Sequence, residues 1–350
     1  MPKESTHLFL SRVIRESLSK SPDFKSVSGL LEQAPNLFMM GSVAPDSVYN
    51  YVSGPAKEFL KINVENSHGG GESGIYDYFI RFGKQDLPFI PGLSFGLGIL
   101  CHLAADMIFH PMVYYFCGAD IPGKMTDATV RHYYFESGMD KILRWVYPEQ
   151  RKVHLKTCLR NKEMDNRSFA LAQEALHVPY DKVGMMPQDE FLSMYRQHAQ
   201  FEGFYGNVFF KYLAQFINAI SGGAKPDYPA LFYADLPGHA GVLEADAILN
   251  FKFEYKNPVS GVSLNKSLLT MIEDFKILFL DFLHPLESAL TGKDLRPAGG
   301  YANSDFWNLV LPIFRQWLPR SPKTGLPAVQ DGKMRYFDLH QIEEILKPSP

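Results

Sequence analysis

The sequence has few cysteines, and none of them lies in a CxxC pair. Cys101, Cys117 and Cys158 are odd in number and widely spaced, so we expect neither a disulfide framework nor a thiolate zinc site. An excess of basic charge is also lacking, since the formal net charge is -3. This balance argues against binding to duplex nucleic acid, which requires a positive surface, and leaves a small charged substrate open.

Long uninterrupted apolar runs are missing as well. None reaches the roughly 18 residues that a membrane-spanning helix needs, and the first residues lack the apolar core of a signal peptide. We therefore expect a cytoplasmic protein from the chain as given, or a secreted one if a signal peptide has been removed. The alternating pattern of a half-buried strand is also absent between the expected helices, so the fold class is predicted to be all-α.

Apolar residues at helical spacing predict helices over most of the chain. The first begins at about Thr6 and runs to Lys20. The apolar segment 93–116 predicts a central buried helix that ends near His110, because Pro111 disfavours helical geometry in the residue before it. Further helices are predicted at 75–82, 128–147, 150–162, 166–175, 188–220, 264–292 and 303–318.

Glycine and proline predict three local features. Gly96 and Gly98, inside the central helix, would let a neighbouring backbone approach closely. Gly41 and Pro45 break the helical pattern and predict a turn that presents Asp46. Residues 221–263 are rich in Gly, Pro and aromatic side chains without helical period, which predicts a long ordered loop. The chain is expected to end in a tail that lies on the body.

The strongest local signal is a run of ligand-type side chains at a spacing of four, His102, Asp106 and His110. Residues at this spacing share one helix face and can bind the same ion. A second such pair, His132 and Glu136, lies on the following predicted helix. An unpaired buried polar group costs about 1–3 kcal/mol, so these side chains need partners. One or more metal ions could bind all of these side chains. For any single one of them, a hydrogen bond to the backbone is the alternative.

Five ordered blocks carry a resemblance to a known family: Thr6-His7, the segment 41–46, Asn66-Ser67-His68, the run from His102 to Pro111, and His132-x3-Glu136. In order and internal spacing they resemble the zinc-dependent phospholipase C family, which is related to the S1/P1 nucleases and to the catalytic domain of glycosylphosphatidylinositol phospholipase D. The resemblance implies a multi-helix phospholipase C/P1 nuclease-like bundle with a zinc cluster in a cleft. It implies a catalytic domain at 1–222, with a long loop and C-terminal helices at 223–350 packed on the core.

The resemblance also implies two or three zinc ions. Their ligands would be Asp46, His68, His102 and Asp106 for one ion, His110, His132 and Glu136 for a second, and His7 for a third. Asp106 would bridge to the third ion, which would also bind the mature N-terminal residue, Pro2 if the initiator Met is removed. In the implied mechanism a metal-activated water attacks phosphorus, and Asp46 is either a ligand or the general base.

The implied substrate is a phospholipid or other phosphodiester, reached by transient contact with a membrane surface. Phosphatidylcholine-hydrolysing members carry two aromatic residues that bind the choline ammonium by cation–π attraction. Here those positions are Ser47 and Glu65, so no headgroup is assigned. His198 could line a substrate pocket, and other candidates for an aromatic wall are Tyr49, Tyr51, Phe201 and Tyr205.

Two other functions would use the same residues. A single-strand nuclease or a phosphomonoesterase would act on another phosphate ester with the same metal cluster. A zinc-stabilised binding protein whose ancestral activity has lapsed would keep the His and Asp ligands but have a filled cleft or lack the third ion.

Overall fold

The protein is mainly helical, and its computed structural model describes residues 4–54, 89–119, 126–159, 188–220, 249–291, 323–326 and 333–339, with the single residues 232, 247 and 321. The helices are α1 (Glu4–Lys20), α2 (Lys25–Gln33), α3 (Pro35–Gly41), α4 (Ala44–Ser47), α5 (Phe89–Cys117), α6 (Asp127–Val146), α7 (Leu155–Cys158), α8 (Gln188–Tyr205), α9 (Val208–Ile220) and α10 (Leu268–Leu290). Short 3₁₀ helices lie at Pro22–Phe24 and Pro148–Lys152. Strands β1 (Phe253–Lys256) and β2 (Ser263–Lys266) form an antiparallel hairpin. The predicted helical fold class is confirmed.

Helix α5 is the centre of the core. It is long and apolar enough to cross a membrane by length and composition, and 94% of that stretch is buried inside the protein. Helices α1, α2, α3, α6 and α10 all pack against it. Its apolar surface is therefore used for packing within the protein.

The predicted end of α5 near His110 is wrong, because the helix continues through Pro111 to Cys117. Pro111 removes the backbone hydrogen bond that the Met107 carbonyl would otherwise accept. The backbone of Gly325 lies against that carbonyl, since a Cβ built on Gly325 would come within 2.6 Å of the Met107 oxygen. Burial of the helix and cover from the C-terminal segment thus allow it to pass the proline.

Helices α3 and α5 meet at two glycines, as the sequence predicts for Gly98. A Cβ on Gly98 would come within 2.8 Å of the Gly41 Cα, and one on Gly41 within 3.0 Å of the Gly98 Cα. No side chain fits between backbones this close. The contact holds the end of α3, and with it α4, beside the ligand-bearing face of α5.

Helix α10 is joined to the beginning of the chain by Glu287. The Glu287 carboxylate accepts hydrogen bonds from the backbone N–H groups of Ser26 at 2.9 Å and Val27 at 2.8 Å. It therefore satisfies two of the N-terminal donors of α2 that have no partner within the helix. The C-terminal part of the chain thus packs on the first helices.

Several predicted boundaries differ from the structure. The helix expected over 188–220 is two helices, because the Asn207 side chain accepts the Phe209 N–H at 2.9 Å and starts α9 anew. Within the described part of 150–162, only the short helix α7 and the 3₁₀ segment before it form. Asp46 lies in the short helix α4 and not in a turn, with Pro45 in the first turn of that helix.

The prediction of a loop over 221–263 is wrong at the end of that range, where β1 and the start of β2 form. Phe253 and Tyr255 are buried while Glu254 and Lys256 are exposed, which is the alternation of a half-buried strand. Residues 333–339 lie on the body as expected, and the Asp338 N–H donates to the Tyr115 carbonyl of α5 at 2.8 Å. The helices expected at 75–82, 166–175 and 303–318 lie outside the described residues, and the division at residue 222 stays a prediction.

Candidate metal centre

Asp106 lies at the middle of a group of buried histidines. Its Oδ2 is 3.2 Å from His102 Nε2, and its Oδ1 is 3.5 Å from His110 Nε2. His7, brought in by α1, places its Nε2 3.6 Å from the same Oδ1. One carboxylate therefore faces three imidazoles from two helices, as the spacing on α5 predicts for two of them.

A first cluster consists of His7, Asp46 and His102, whose ligand atoms all lie within 4.8 Å of one another. Asp46 Oδ2 is 3.7 Å from His7 Nε2, and Asp46 Oδ1 is 4.0 Å from His102 Nε2. Zinc bonds of 2.0–2.2 Å put tetrahedral ligands about 3.3–3.6 Å apart, so the cluster needs only small adjustments to enclose an ion. The two imidazole rings stack with their centroids 3.9 Å apart.

A second cluster consists of His110, His132 and Glu136, again with ligand atoms within 4.8 Å of one another. His132 Nε2 lies 2.7 Å from Glu136 Oε1, one turn along α6. Burial lowers the pKa of His132 well below its usual value. The ring is therefore neutral, which is the form that binds metal ions.

A backbone contact orients His102. Its Nδ1–H donates to the carbonyl of Ser42 at 2.9 Å, at the end of α3. Nε2 then faces Asp46 and Asp106. Metal-binding histidines commonly have such a contact, because it fixes both the tautomer and the ring orientation.

The charges of the site fit a divalent cation. Burial raises the pKa of Asp46 to about 6. Burial by itself lowers the pKa of His102, but the carboxylates of Asp106 and Asp46 outweigh it and raise the net value. Apart from the imidazole of His102, 3.2 Å from Asp106 Oδ2, no described hydrogen-bond donor reaches the Asp106 oxygens or Oδ1 of Asp46. A cation would offset the cost of these buried carboxylates, and imidazole nitrogen with carboxylate oxygen is a zinc-type donor set.

Asp140 fixes the position of α1 relative to α6, and sequence reasoning missed it. Its carboxylate accepts the N–H groups of Ser5 at 3.3 Å and Thr6 at 2.9 Å. Asp140 follows Glu136 by one turn of α6, so it continues the spacing of His132 and Glu136. That continued spacing was the signal available in the sequence.

Ser47 and His198, two candidates for the substrate pocket, contact each other inside the protein. The Ser47 hydroxyl donates to the Val43 carbonyl at 2.9 Å and accepts from His198 Nδ1 at 2.8 Å. His198 Nε2 lies 3.5 Å from Glu4 Oε2. All three side chains are buried, so this chain of contacts helps to fix α4, the helix that carries Asp46.

The remaining candidates are spread over the surface and the core. Tyr49 is exposed, Tyr51 is buried with its hydroxyl bonded to Glu190, and the rings of Phe201 and Tyr205 stack at 5.8 Å. His68, Glu65 and Pro2 lie outside the described residues. The fourth ligand of the first cluster and the N-terminal ligand therefore stay predictions.

Comparison with known protein families finds a match. The model of a family described as zinc dependent phospholipase C matches residues 6–186, more than half of the chain. This region contains every ligand-type residue of both clusters. No curated protein and no solved structure matches the chain.

Proposed function

The chain belongs to the zinc-dependent phospholipase C family, and on that premise we propose that it hydrolyses a phospholipid or a related phosphodiester with zinc ions bound at the two buried clusters. Membership supports a metal-dependent hydrolase of phospholipids in general. The observation that carries the more specific proposal is the position of Asp106 between the clusters. Its oxygens lie 3.2–3.6 Å from the Nε2 atoms of His102, His110 and His7, which suits a carboxylate shared between ions.

The proposed ligand assignment adds Asp106 to the two clusters. Asp46, His102 and Asp106, together with the predicted ligand His68, would bind one ion, while His110, His132 and Glu136 would bind a second. His7 touches both Asp46 and Asp106, so it would bind a third ion that shares Asp106, or complete the first site. The choice between these two arrangements depends on the number of ions bound.

The chain's own residues set up the chemistry around the ions. Zinc supplies Lewis acidity, which acidifies water toward pKa ~7 and withdraws charge from phosphoryl oxygens. Asp46 Oδ1, which no described donor occupies, can orient a water for attack on phosphorus or accept its proton. Burial of both clusters excludes bulk water and strengthens these electrostatic interactions.

The headgroup is left open. Ser47 stands where choline-binding relatives carry an aromatic ring, and its hydroxyl is engaged with His198 and Val43. Recognition through the phosphodiester itself, by metal ions, requires no particular headgroup. We therefore propose a phosphodiester specificity without assigning choline.

Metal analysis and activity assays test the proposal together. Purified protein is analysed for bound metals and then assayed on mixed phospholipids, single-stranded DNA and a phosphomonoester, with diacylglycerol measured as product. Zinc at two or three ions per chain and release of diacylglycerol would support it. Cleavage of DNA alone would instead favour the nuclease, and zinc without any turnover would favour a lapsed enzyme.

A matched pair of histidine variants ties the activity to the clusters. His102→Ala should lose zinc and phospholipid hydrolysis together, because His102 contacts both Asp46 and Asp106. His284→Ala removes an exposed histidine of α10 that packs on the ring of Phe24, and it should change neither zinc content nor hydrolysis. Unchanged zinc content in His102→Ala would refute the ligand assignment.

A further inference from the structure

Helix α9 turns its apolar side outward, which is the reverse of an ordinary surface helix. Its side facing the protein carries the buried Lys211 with the half-buried Ala214 and Asn218. Its outward side carries large apolar side chains, with Phe209 and Ile220 each 68% exposed, Phe216 62% and Tyr212 60%. A surface helix of a soluble protein normally turns its apolar stripe to the core. The inverted pattern of α9 indicates an apolar partner on the outside.

Helix α9 is linked to the candidate metal centre through α8. It follows α8, on which His198 contacts Ser47 beside Asp46. From His198 to the end of α8 at Tyr205 is about 10 Å at 1.5 Å per residue. Phe204 at that end packs on Phe210 of α9, with ring centroids 4.6 Å apart. The apolar surface therefore begins about two helical turns from the support of a proposed metal ligand.

Other exposed aromatic residues lie on elements that carry proposed ligands. Tyr134, on α6 between His132 and Glu136, is 42% exposed, and Tyr49, just after α4, is 39% exposed. Exposed aromatic side chains thus also occur on α6 and just after α4, the helices that carry proposed ligands. Aromatic side chains are favoured at the boundary between water and lipid.

We propose that α9 is the surface by which the protein docks on a phospholipid bilayer, with Phe209, Phe216 and Ile220 inserted among the lipids. This proposal rests on the proposed function, because a bilayer is where a phospholipid substrate is held. An amphipathic helix of this kind lies in the plane of the interface with its apolar side buried among headgroups and acyl chains. Docking through α9 would hold the adjacent metal centre near the headgroups.

The lack of exposed charge on α9 indicates that it would bind neutral lipids as well as anionic ones. Lys211 is its one charged residue, and it is buried. Attraction to anionic lipids therefore contributes little, and apolar insertion dominates. Binding to vesicles of neutral phosphatidylcholine is expected, and added salt should leave it unchanged because screening acts on exposed charges.

The test measures vesicle binding by flotation with phosphatidylcholine vesicles, using the full-length, zinc-loaded protein. Phe209→Glu and Phe216→Glu should each lower the partition coefficient about tenfold or more, since each removes a large apolar group from the lipid and adds a charge. Ile277→Glu, an equivalent change at a 56% exposed position of α10, is the matched control and should leave binding unchanged. All three variants should keep full activity on a water-soluble phosphodiester.

A second measurement does not depend on loss of binding. In Phe209→Trp, vesicles that contain brominated phosphatidylcholine should quench the new tryptophan. Failure of wild-type protein to bind vesicles, equal binding by Phe209→Glu, or no quenching in Phe209→Trp would each overturn the proposal. A dimer that dissociates on Phe216→Glu, or a large loss of thermal stability in that variant without vesicle binding, would assign α9 to a second copy or to another segment of the chain.

The outcomes for docking and for catalysis are separate. Vesicle binding that depends on α9, without hydrolysis of any phospholipid, would support the docking surface and overturn the proposed function. Hydrolysis of vesicle phospholipid at equal rates by wild type and Phe209→Glu would support the function and overturn the docking surface.

Discussion

The Asp140 carboxylate of α6 accepts the backbone N–H of Thr6, the residue before His7, at 2.9 Å. The same carboxylate also accepts the Ser5 N–H and the Thr6 hydroxyl. Helix α1 therefore starts on a group supplied by the helix that bears His132 and Glu136. This contact fixes the first cluster relative to the second.

Asp140→Ala should lower both stability and metal affinity. Loss of a helix cap that leaves buried N–H groups unsatisfied costs about 1–3 kcal/mol. Ser267→Ala removes a comparable cap, the acceptor of the Thr270 N–H at the start of α10, and is the matched control. Denaturant unfolding and zinc titration should show that both variants lose stability and that Asp140→Ala alone loses zinc affinity. Equal zinc affinity in the two variants would show that Asp140 stabilises the fold without affecting the metal site.

Asp106→Asn should affect more than one ion. Its two oxygens face histidines of both clusters, whereas His132 belongs to the second cluster alone. Elemental analysis is expected to show about one zinc fewer per chain in His132→Ala, and a larger loss or a general weakening in Asp106→Asn. If Asp106→Asn loses no more zinc than His132→Ala, the carboxylate is not shared.

Removal of metal should destabilise the fold. Asp46 and Asp106 are buried, and without an ion the Asp46 Oδ1 and the two Asp106 oxygens face only the neighbouring imidazoles among the described donors. An ion present at 1,000 times its dissociation constant stabilises the folded state by about 4 kcal/mol per site. Thermal unfolding with a chelator should therefore show a lower Tm, restored by added zinc. A Tm that does not respond to chelator, in protein shown to contain zinc beforehand, would contradict this.

Gly98→Ala should separate α3 from α5. The added Cβ would come within 2.8 Å of the Gly41 Cα, where backbone and not a flexible side chain must move. Overpacking of this kind costs about 1–3 kcal/mol or more, and it should also move Asp46 away from His102. Gly29→Ala is the control, since a Cβ there meets nothing within 4 Å and alanine favours the helix by about 0.5–1 kcal/mol. Urea unfolding and zinc content are measured for both variants. A Gly98→Ala variant that is as stable as wild type and binds as much zinc would contradict the prediction.

The sequence predicts the ligands that lie on single helices. His102, Asp106 and His110 share a face of α5, and His132 and Glu136 share a face of α6, because helical periodicity alone places them there. The contact of Asp140 with Thr6 spans 134 residues, and that of Ser47 with His198 spans 151. Such pairs are set by tertiary packing, which local periodicity does not encode.

The errors along the chain have similar causes. Pro111 does not end α5, because burial and the cover from Gly325 outweigh its local preference. The hairpin was missed because each of its strands has only four residues, too few for a clear alternation. The break before α9 depends on the side chain of Asn207 competing with the helix backbone, a choice that the surrounding apolar residues conceal.

Glu287 and Gly325 join later parts of the chain to the helices that surround the two clusters. A fragment that stopped before α10 would contain every proposed ligand from His7 to Glu136, yet it would leave the first N–H groups of α2 and the Met107 carbonyl open to water. The shortest fragment that folds around the proposed ligands is therefore expected to be longer than the segment that supplies them, and expression trials on shortened chains should keep Glu287 and Gly325.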